Sequence, residues 1–185
     1  FVVSYNTKDL TLQTLKTAIA DIRHSRLLHN KTEIYVVDNN SHDDSVAACK
    51  ALFKELDFTH ATVIANQDNL GFAKANNQAG RISKGQFVLF LNSDTVTQPG
   101  ALQTMVQTFL DFPVDETTAY SDQADRVGDR LGMLCPQLQN PDGTIQRQGG
   151  DLPSLLSVFA QMSLLDDVPL LGMLLPSTQH TGQHG

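Results

Sequence analysis

The chain has 185 residues, which is enough for one ordinary domain with one core and excludes a large multidomain assembly. Hydrophobic residues make up 41% and charged residues 18%, a balance typical of folded globular proteins and unlike that of disordered chains. The formal net charge of -7 provides no basic surface for the phosphates of nucleic acid or of an anionic membrane. We therefore expect a folded domain that does not bind nucleic acid.

Four short apolar runs rich in β-branched and aromatic residues predict strands. They are residues 1–5, 33–37, 61–65 and 86–91. The last run, QFVLFL, is almost wholly apolar, as a central strand covered on both faces requires.

Four segments with apolar residues at helical spacing predict helices between and after these strands. The inward-facing sets are Leu12, Leu15, Ala18, Ile19 and Ile22; Val46, Cys49, Phe53 and Leu56; Phe72, Ala75, Ala79 and Ile82; and Leu102, Met105, Val106, Phe109 and Leu110. The expected residues at helix starts are Asn6 with Asp9, Ser41 with Asp44, and Pro99. This alternation indicates an α/β fold, a Rossmann-like and mostly parallel sheet flanked by helices.

The alternation stops near residue 112, and the remainder has a different character. We expect a single domain over 1–185. Along the chain it would consist of a core at 1–112, an insertion at about 113–131, a hairpin and helix at 132–175, and a frayed tail at 176–185. Because the chain opens at Phe1 inside an apolar run, we expect this domain to be truncated.

The two cysteines and the apolar tail at 152–176 indicate the cellular compartment. Cys49 and Cys135 are too few for a disulfide framework and have no metal-binding spacing around them, which favours thiols in a reducing compartment. No run approaches the roughly 20 apolar residues of a membrane-spanning helix. Two aspartates and a proline interrupt the apolar tail at 152–176. These features favour a cytoplasmic protein.

Polar clusters follow the predicted strands, at the carboxyl ends where parallel sheets bind ligands. They are Ser4-Tyr5-Asn6, Asp38-Asn39-Asn40-Ser41, Asn66 to Gly71, and Asn92-Ser93-Asp94. Each cluster alone also fits an ordinary turn or helix cap, and for Asn6 and Ser41 the cap is the simpler interpretation. Asp38 follows its strand directly, so it either accepts hydrogen bonds from a ribose or a base or has a structural role in the turn.

Asn92 and Asp94 suggest a cation site at the end of the fourth predicted strand. Residues two apart in a strand direct their side chains to the same side. Two oxygen-bearing groups at that spacing suit Mg²⁺ or Mn²⁺ shared with a diphosphate. No glycine-rich phosphate loop follows the first strand, so an acidic chain would need such a cation to bind a diphosphate. Hydrolase-elbow and zinc-binding motifs are also absent from the sequence.

In this order, the clusters resemble the N-terminal half of the family 2 glycosyltransferases, especially the rhamnosyltransferase-like members. The matching pieces are VVSYN at 2–6, VVDNNSHDDS at 36–45, NLGFAKANNQA at 69–79, FLNSDT at 90–95 and PDG at 141–143. The resemblance covers about residues 1–150. It implies a GT-A fold that binds a nucleoside diphosphate sugar.

The resemblance also implies roles for individual residues. The donor-binding residues would be Ser4, Tyr5, Asn6, Asp38, Asn39, Asn69, Gly71, Asn77, Asn92 and Ser93. Asp38 would hold the base or ribose, and Gly71 would let the backbone approach the donor, whereas Phe72 is more simply a core residue. Asp94 matches the last aspartate of a DXD-type motif and would bind the metal. Asn92 stands where the motif has its first aspartate, which leaves one carboxylate for the cation.

The family reaction, as the resemblance implies it, is an inverting, metal-dependent transfer of a sugar to a saccharide or lipid-linked acceptor in cell-wall or polysaccharide biosynthesis. A carboxylate accepts the acceptor proton and a divalent cation, Mg²⁺ or Mn²⁺, stabilises the leaving diphosphate. No acidic motif of this chain matches that base, so we expect the catalytic base beyond Gly185, and turnover by the fragment stays open. Contact with the inner face of the membrane also stays open.

Two other functions fit parts of the sequence. A sugar-phosphate nucleotidyltransferase uses a similar sheet, but residues 4–9 lack the glycine-rich basic loop that this class needs. A non-catalytic fragment that binds a nucleotide sugar would explain the missing base. Apolar residues between 155 and 175 also predict self-association.

Overall fold

Four parallel strands form one sheet in the computed structural model, which describes residues 1–111 and 132–146. They are β1 (Val2–Ser4), β2 (Ile34–Asp38), β3 (Ala61–Ala65) and β4 (Leu91–Asn92). Their order in the sheet is β3-β2-β1-β4. The strand order therefore reverses at β1, because the chain moves outward from β1 through β2 to β3 and then returns to the other side of β1. The predicted parallel α/β fold is confirmed.

Helices cover both faces of this sheet. They are α1 (Lys8–His24), α2 (Ser45–Glu55), α3 (Phe72–Ile82) and α4 (Ala101–Asp111). Alternate side chains of β2 enter two cores, since Ile34 and Val36 pack with α1 and α2, and Tyr35 and Val37 pack with α3. The strand that is covered on both faces is thus β2. Among the described residues, no helix combines the length and apolarity needed to cross a membrane.

The strand predicted at 86–91 is much shorter in the structure. Only Leu91–Asn92 pairs with β1, and the neighbouring large side chains are exposed, namely Phe87, Val88 and Phe90. The amino group of Phe1 donates a hydrogen bond to the carbonyl of Leu89 at 2.7 Å, and residues 86–90 are not in strand conformation. The prediction of a central strand covered on both faces is wrong for this segment.

Helix α3 contacts the sheet through two small residues. Ala75 and Ala79 are fully buried against Tyr35 and Val37. Phe72 and Ile82, which were predicted to face inward, are exposed. Because alanine side chains are short, the middle of the helix lies near the sheet, and the four described strands leave Phe72 and Ile82 at its ends uncovered.

The predicted helix starts are also wrong. Helix α1 begins at Lys8 and α2 at Ser45, and neither has a side-chain cap. Helix α4 begins at Ala101, so Pro99 precedes its first turn. The side chains of Asn6 and Ser41 are not available for capping because they join the loops after β1 and β2 to each other, as described below.

The chain divides into two compact units, Phe1–Leu134 and Cys135–Gly185. In the second unit, a turn at 140–144 is closed by one antiparallel bridge between Gln139 and Ile145. Gly143 has the positive φ of 84° expected for the predicted Asp-Gly turn. The predicted insertion at about 113–131, the helix near 154–165 and the tail at 176–185 lie outside the described residues.

The packing of α3 predicts a size limit at Ala79. We expect Ala79→Leu to destabilise the fold by about 1–3 kcal/mol, because the larger side chain has no space between helix and sheet. The matched control is Ala73→Leu at an exposed position of the same helix. Urea denaturation measures both variants, and equal stability of Ala79→Leu and Ala73→Leu would contradict this packing.

Candidate functional site

The carboxyl ends of the four strands bring the predicted polar clusters to one edge of the sheet. In the strand register, Asp38 lies beside Ser4 on one side and Ala65 on the other, and Val3 lies beside Asn92. The ends of β2 and β4 are therefore separated only by β1, which corresponds to about 10 Å between the strands. This edge also contains the reversal of strand order, where open α/β sheets form a crevice for ligands.

Asp38 is the most unusual polar residue of this edge. Its side chain is only 2% exposed, and its Oδ1 accepts a hydrogen bond from the backbone N–H of Ser41 at 2.9 Å. Its Oδ2 is buried and has no partner in the described part of the chain. An unpaired buried acceptor costs about 1–3 kcal/mol, or more when it is charged. Asp38 thus has one buried oxygen that receives no hydrogen bond from residues 1–111 or 132–146.

The loops after β1 and β2 are held together by reciprocal hydrogen bonds. The backbone N–H of Asn6 donates to Ser41 Oγ at 2.9 Å, and the N–H of His42 donates to Asn6 Oδ1 at 2.8 Å. Asn6 has a positive φ of 52°, which asparagine tolerates better than most residues. These bonds replace the predicted helix caps and make one wall of the edge from two loops. Tyr5, which precedes Asn6, is exposed.

A partly buried network of side-chain amides supports the same edge. Asn39 is buried, and its Oδ1 accepts from Asn66 Nδ2 at 2.9 Å. Asn66 and Gln78 exchange two amide hydrogen bonds, at 3.0 and 2.9 Å. The network therefore joins the ends of β2 and β3 to α3. Through this network Asn39 supports the loops. The predicted contact of Asn39 with the sugar donor remains a prediction.

Hydroxyl groups fill the space behind β1. The Ser4 hydroxyl is fully buried and lies 2.9 Å from Thr11 Oγ1 and 3.2 Å from Thr7 Oγ1. Thr7 Oγ1 also donates to Ser93 Oγ at 3.3 Å. The hydrogen-bond partners of Ser4 and Ser93 are thus other side chains of this protein. The predicted contacts of these two residues with the sugar donor also remain predictions. The cluster connects the end of β1 to the turn after β4.

In the segment before α3, at residues 69–71, the backbone of Gly71 is open to the surroundings. The N–H of Gly71 donates to Asn69 Oδ1 at 3.0 Å, and Gly71 has φ 79° and ψ 164°, a region that is essentially limited to glycine. A Cβ on Gly71 would meet no atom of the described residues within 4 Å, so in this part of the chain the space over its backbone is open. Asn77 is exposed, and so is Phe72 at 58%, which contradicts its predicted core position.

Asp94 lies in the turn that follows β4. Strand β4 ends at Asn92, so the alternation of a strand does not extend to Asp94 and cannot by itself place the two side chains on the same side. Both residues are exposed. Among the described residues, no hydrogen bond occupies the Asp94 carboxylate and no three His, Cys, Asp or Glu side chains form a group that could hold a metal ion.

This arrangement fits a cation that is shared with a ligand. Mg²⁺ is usually held by one or two carboxylates together with substrate phosphates and water, rather than by a complete protein cage. The single open carboxylate of Asp94 and the amide oxygen of Asn92 suit that mode of binding. They do not suit a permanently bound structural metal, which requires a closed set of protein ligands.

Three hydrogen bonds to Asp43, which the sequence analysis missed, stabilise the loop between β2 and α2. Asp43 accepts hydrogen bonds from the hydroxyl and N–H of Ser45 and, at 2.8 Å, from the N–H of Lys8. The hydrogen bond from the Ser45 hydroxyl is the main reason that the pKa of Asp43 lies below its usual value.

The Cys49 thiol belongs to the core. Burial and the nearby carboxylates of Asp38 and Asp43 raise the pKa of Cys49 to about 11, which makes it an inert core thiol.

A family profile described as Glycosyl transferase family 2 matches residues 1–152. An uncharacterized protein of Mycobacterium tuberculosis (strain CDC 1551 / Oshkosh) is 32% identical over 79 residues, which make up 43% of this chain and 24% of that protein. The matched region of the profile contains the sequence pieces from Val2 to Gly143 on which the predicted resemblance depends.

Two solved structures are similar in fold. The mannosyltransferase PcManGT from Pyrobaculum calidifontis, in complex with GDP-Man and Mn2+, gives a TM-score of 0.53 and 24% identity over 61% of this chain and 32% of that one. S. aureus TarS 1-349 gives a TM-score of 0.50 and 23% identity over 60% of this chain and 31% of that one. The chain thus spans less than a third of either structure. The predicted GT-A fold is confirmed.

The contacts of Asp43 predict a pH-dependent stability. Because the folded pKa of Asp43 is lowered, its stabilisation is present above the ordinary carboxyl pKa of about 4 and is lost as the pH falls through the lower folded value. We expect Asp43→Asn to be less stable than the wild type at pH 7, with a difference that shrinks below about pH 4. Denaturant titrations at several pH values measure this difference. Asp44→Asn is the control, since Asp44 provides no side-chain cap, and a difference independent of pH would contradict the assignment.

The backbone of Gly71 predicts opposite effects for two glycine substitutions. We expect Gly71→Ala to destabilise the protein by about 1–3 kcal/mol through backbone strain. Gly80→Ala, inside α3, should be neutral or stabilising by up to about 1 kcal/mol, because the new methyl group meets only Phe1 at 3.8 Å. Thermal unfolding of the two variants measures this contrast. A Gly71→Ala variant as stable as Gly80→Ala would show that the strained conformation is not required.

Proposed function

The chain belongs to glycosyl transferase family 2, as the resemblance predicted, and we propose that it binds a nucleoside diphosphate sugar for transfer of the sugar to a saccharide or lipid-linked acceptor. The observation that carries this proposal is the unpaired Oδ2 of the buried Asp38, at the same edge as the open carboxylate of Asp94. One carboxylate lies on each side of β1. This separation suits a ligand that has a base at one end and a diphosphate at the other.

Asp38 is the proposed contact for the nucleoside. Its free oxygen suits an N–H of a base or a hydroxyl of a ribose, both of which are hydrogen-bond donors. The wall formed by Asn6 and Ser41 holds the Asp38 loop in place, and Tyr5, the residue before Asn6, has an exposed side chain. The similar mannosyltransferase PcManGT was solved with GDP-Man, a donor that carries a base N–H.

Asp94 is the proposed metal ligand, with Asn92 as an additional oxygen donor. A bound Mg²⁺ or Mn²⁺ would supply Lewis-acid stabilisation of the leaving diphosphate. Similarity to PcManGT, which was solved with Mn2+, supports this choice of cation. The open backbone at Gly71 and the Asn69 and Asn77 side chains are proposed to line the donor between the two carboxylates.

The displacement step and its catalytic base are proposed at the level of the reaction, without assigned residues. In an inverting displacement, the acceptor hydroxyl attacks the anomeric carbon, the bond to the diphosphate breaks, and a carboxylate accepts the hydroxyl proton. We assign none of the described residues as that base, and we expect it outside the donor half. A cytoplasmic location, with the acceptor at the inner face of the membrane, is part of the same proposal.

Calorimetric titration of the 185-residue chain with UDP, GDP, CDP and TDP, each with Mn²⁺ or with EDTA, tests the proposal. We expect Asp38→Asn to weaken binding by about 10- to 100-fold under both conditions, because the amide N–H₂ would face the ligand donor. We expect Asp94→Asn to weaken binding only when Mn²⁺ is present.

The matched control is Asp57→Asn. Asp57 is exposed after α2 and has a positive φ of 45°, which asparagine accepts equally well. If the folded wild type binds none of the four nucleotides, or if Asp57→Asn weakens binding as much as Asp38→Asn, the proposed function is wrong. Binding without sugar transfer from the matching donor would instead indicate a nucleotide-sugar-binding fragment.

A further inference from the structure

Helix α1 carries a stripe of polar side chains that the amphipathic pattern did not explain. The stripe consists of Thr7, just before the helix, then Thr11, Thr14, Thr17 and Asp21 within it, and Ser25 at its end. Their spacing of three or four residues places them along one side of the helix. Thr11, Thr14, Asp21 and Ser25 are buried, although apolar side chains would be the ordinary choice for such positions.

The stripe binds the segment 93–103 in sequence order. Each member from Thr14 onward contacts a later residue of that segment: Thr14 contacts Thr95, Thr17 contacts Thr97, Asp21 contacts Gly100 and Leu102, and Ser25 contacts Gln103. Thr7 adds the contact to Ser93. Most of these bonds go to backbone groups of the segment.

The segment needs these partners because it has little regular structure of its own. Residues 93–100 connect the end of β4 to the start of α4 without a helix or strand. Backbone N–H and C=O groups that leave the solvent must find hydrogen-bond partners. The side chains of α1 supply them, so the course of this segment is set by α1 and not by its own secondary structure.

Thr14 makes two of these hydrogen bonds next to the proposed metal ligand. Its Oγ1 donates to the carbonyl of Thr95 at 2.8 Å and accepts from the N–H of Thr95 at 3.1 Å. One hydroxyl group thus fixes both polar backbone atoms of the residue after Asp94. The hydroxyl of Ser93, the residue before Asp94, accepts a hydrogen bond from Thr7 Oγ1 at 3.3 Å. Asp94 is the one residue between two anchored neighbours, and its own carboxylate faces no partner within the described residues.

We propose that Thr14 is a positioning residue, whose hydroxyl fixes the Thr95 backbone so that the Asp94 carboxylate is held at the end of β4 for a divalent cation and a diphosphate. This inference rests on the proposed function. Thr14 is fully buried, so it acts only through the Thr95 backbone and does not touch the ligand. A hydroxyl group at position 14 is required, whereas the methyl group of threonine is not.

Three variants of the 185-residue chain test the inference. Thr14→Val keeps the shape of the side chain and removes both hydrogen bonds. Thr14→Ser keeps the hydroxyl group and serves as the rescue. Ser25→Ala removes another buried member of the stripe, distant in sequence from Asp94, and controls for general destabilisation.

The first readout is amide hydrogen exchange, which needs no ligand. We expect the Thr95 amide to exchange at least about tenfold faster in Thr14→Val than in the wild type, because its acceptor is gone. The rates at Val36 and Val37, inside β2, should stay within about twofold. Unchanged exchange at Thr95 would overturn the inference whatever the protein binds.

The second readout is calorimetric titration with the nucleoside diphosphate that binds the wild type most tightly. We expect Thr14→Val to weaken binding by about tenfold or more with Mn²⁺ and by less than about twofold with EDTA, with wild-type behaviour in Thr14→Ser and Ser25→Ala. Equal losses with Mn²⁺ and EDTA, or an equal loss in Ser25→Ala, would mean a structural role only. Wild-type binding in Thr14→Val would overturn the inference and leave the proposed function intact, whereas no binding by the wild type would overturn both.

Discussion

The position of β1 between β2 and β4 is the constraint on which the candidate site depends. Each of these strands is short, and β4 has only two residues, yet their parallel pairing aligns the ends of all three. Asp38 and Asp94 are 56 positions apart in the chain, and only this pairing brings them to the same edge. The crevice at a reversal of strand order is therefore a consequence of topology, and the side chains placed there decide its chemistry.

Polar groups at this edge divide into those that are satisfied and those that are not. The amides of Asn39, Asn66 and Gln78 and the hydroxyls behind β1 bond to one another and stabilise the loops. Asp38 and Asp94 instead keep carboxylate oxygens without partners in the described structure. A buried unpaired oxygen lowers stability, and this cost at Asp38 is the reason that the proposed function places a ligand donor there.

The sequence predicted the fold well because strand and helix periodicity depends on local residue types. It also predicted the four clusters, since polar residues that follow apolar runs mark strand ends. It failed where tertiary contacts decide. Phe72 is exposed because α3 packs through two alanines, most of the 86–91 run is not in strand conformation, and Asn6 bonds to the next loop rather than to its helix. The sequence analysis did not identify the polar stripe of α1, because its partners at 93–103 cannot be read from local sequence.

The most direct test of the account is chemical-shift mapping of the backbone amides during titration with a nucleoside diphosphate and Mg²⁺. We expect residues after β1, β2 and β4, at 5–6, 39–41 and 93–95, to shift together with one apparent affinity. Amides at the opposite edge, such as those of Glu33 and His60, should not move. Shifts limited to one side of β1, or centred on the opposite edge, would contradict a single site that spans the reversal of strand order.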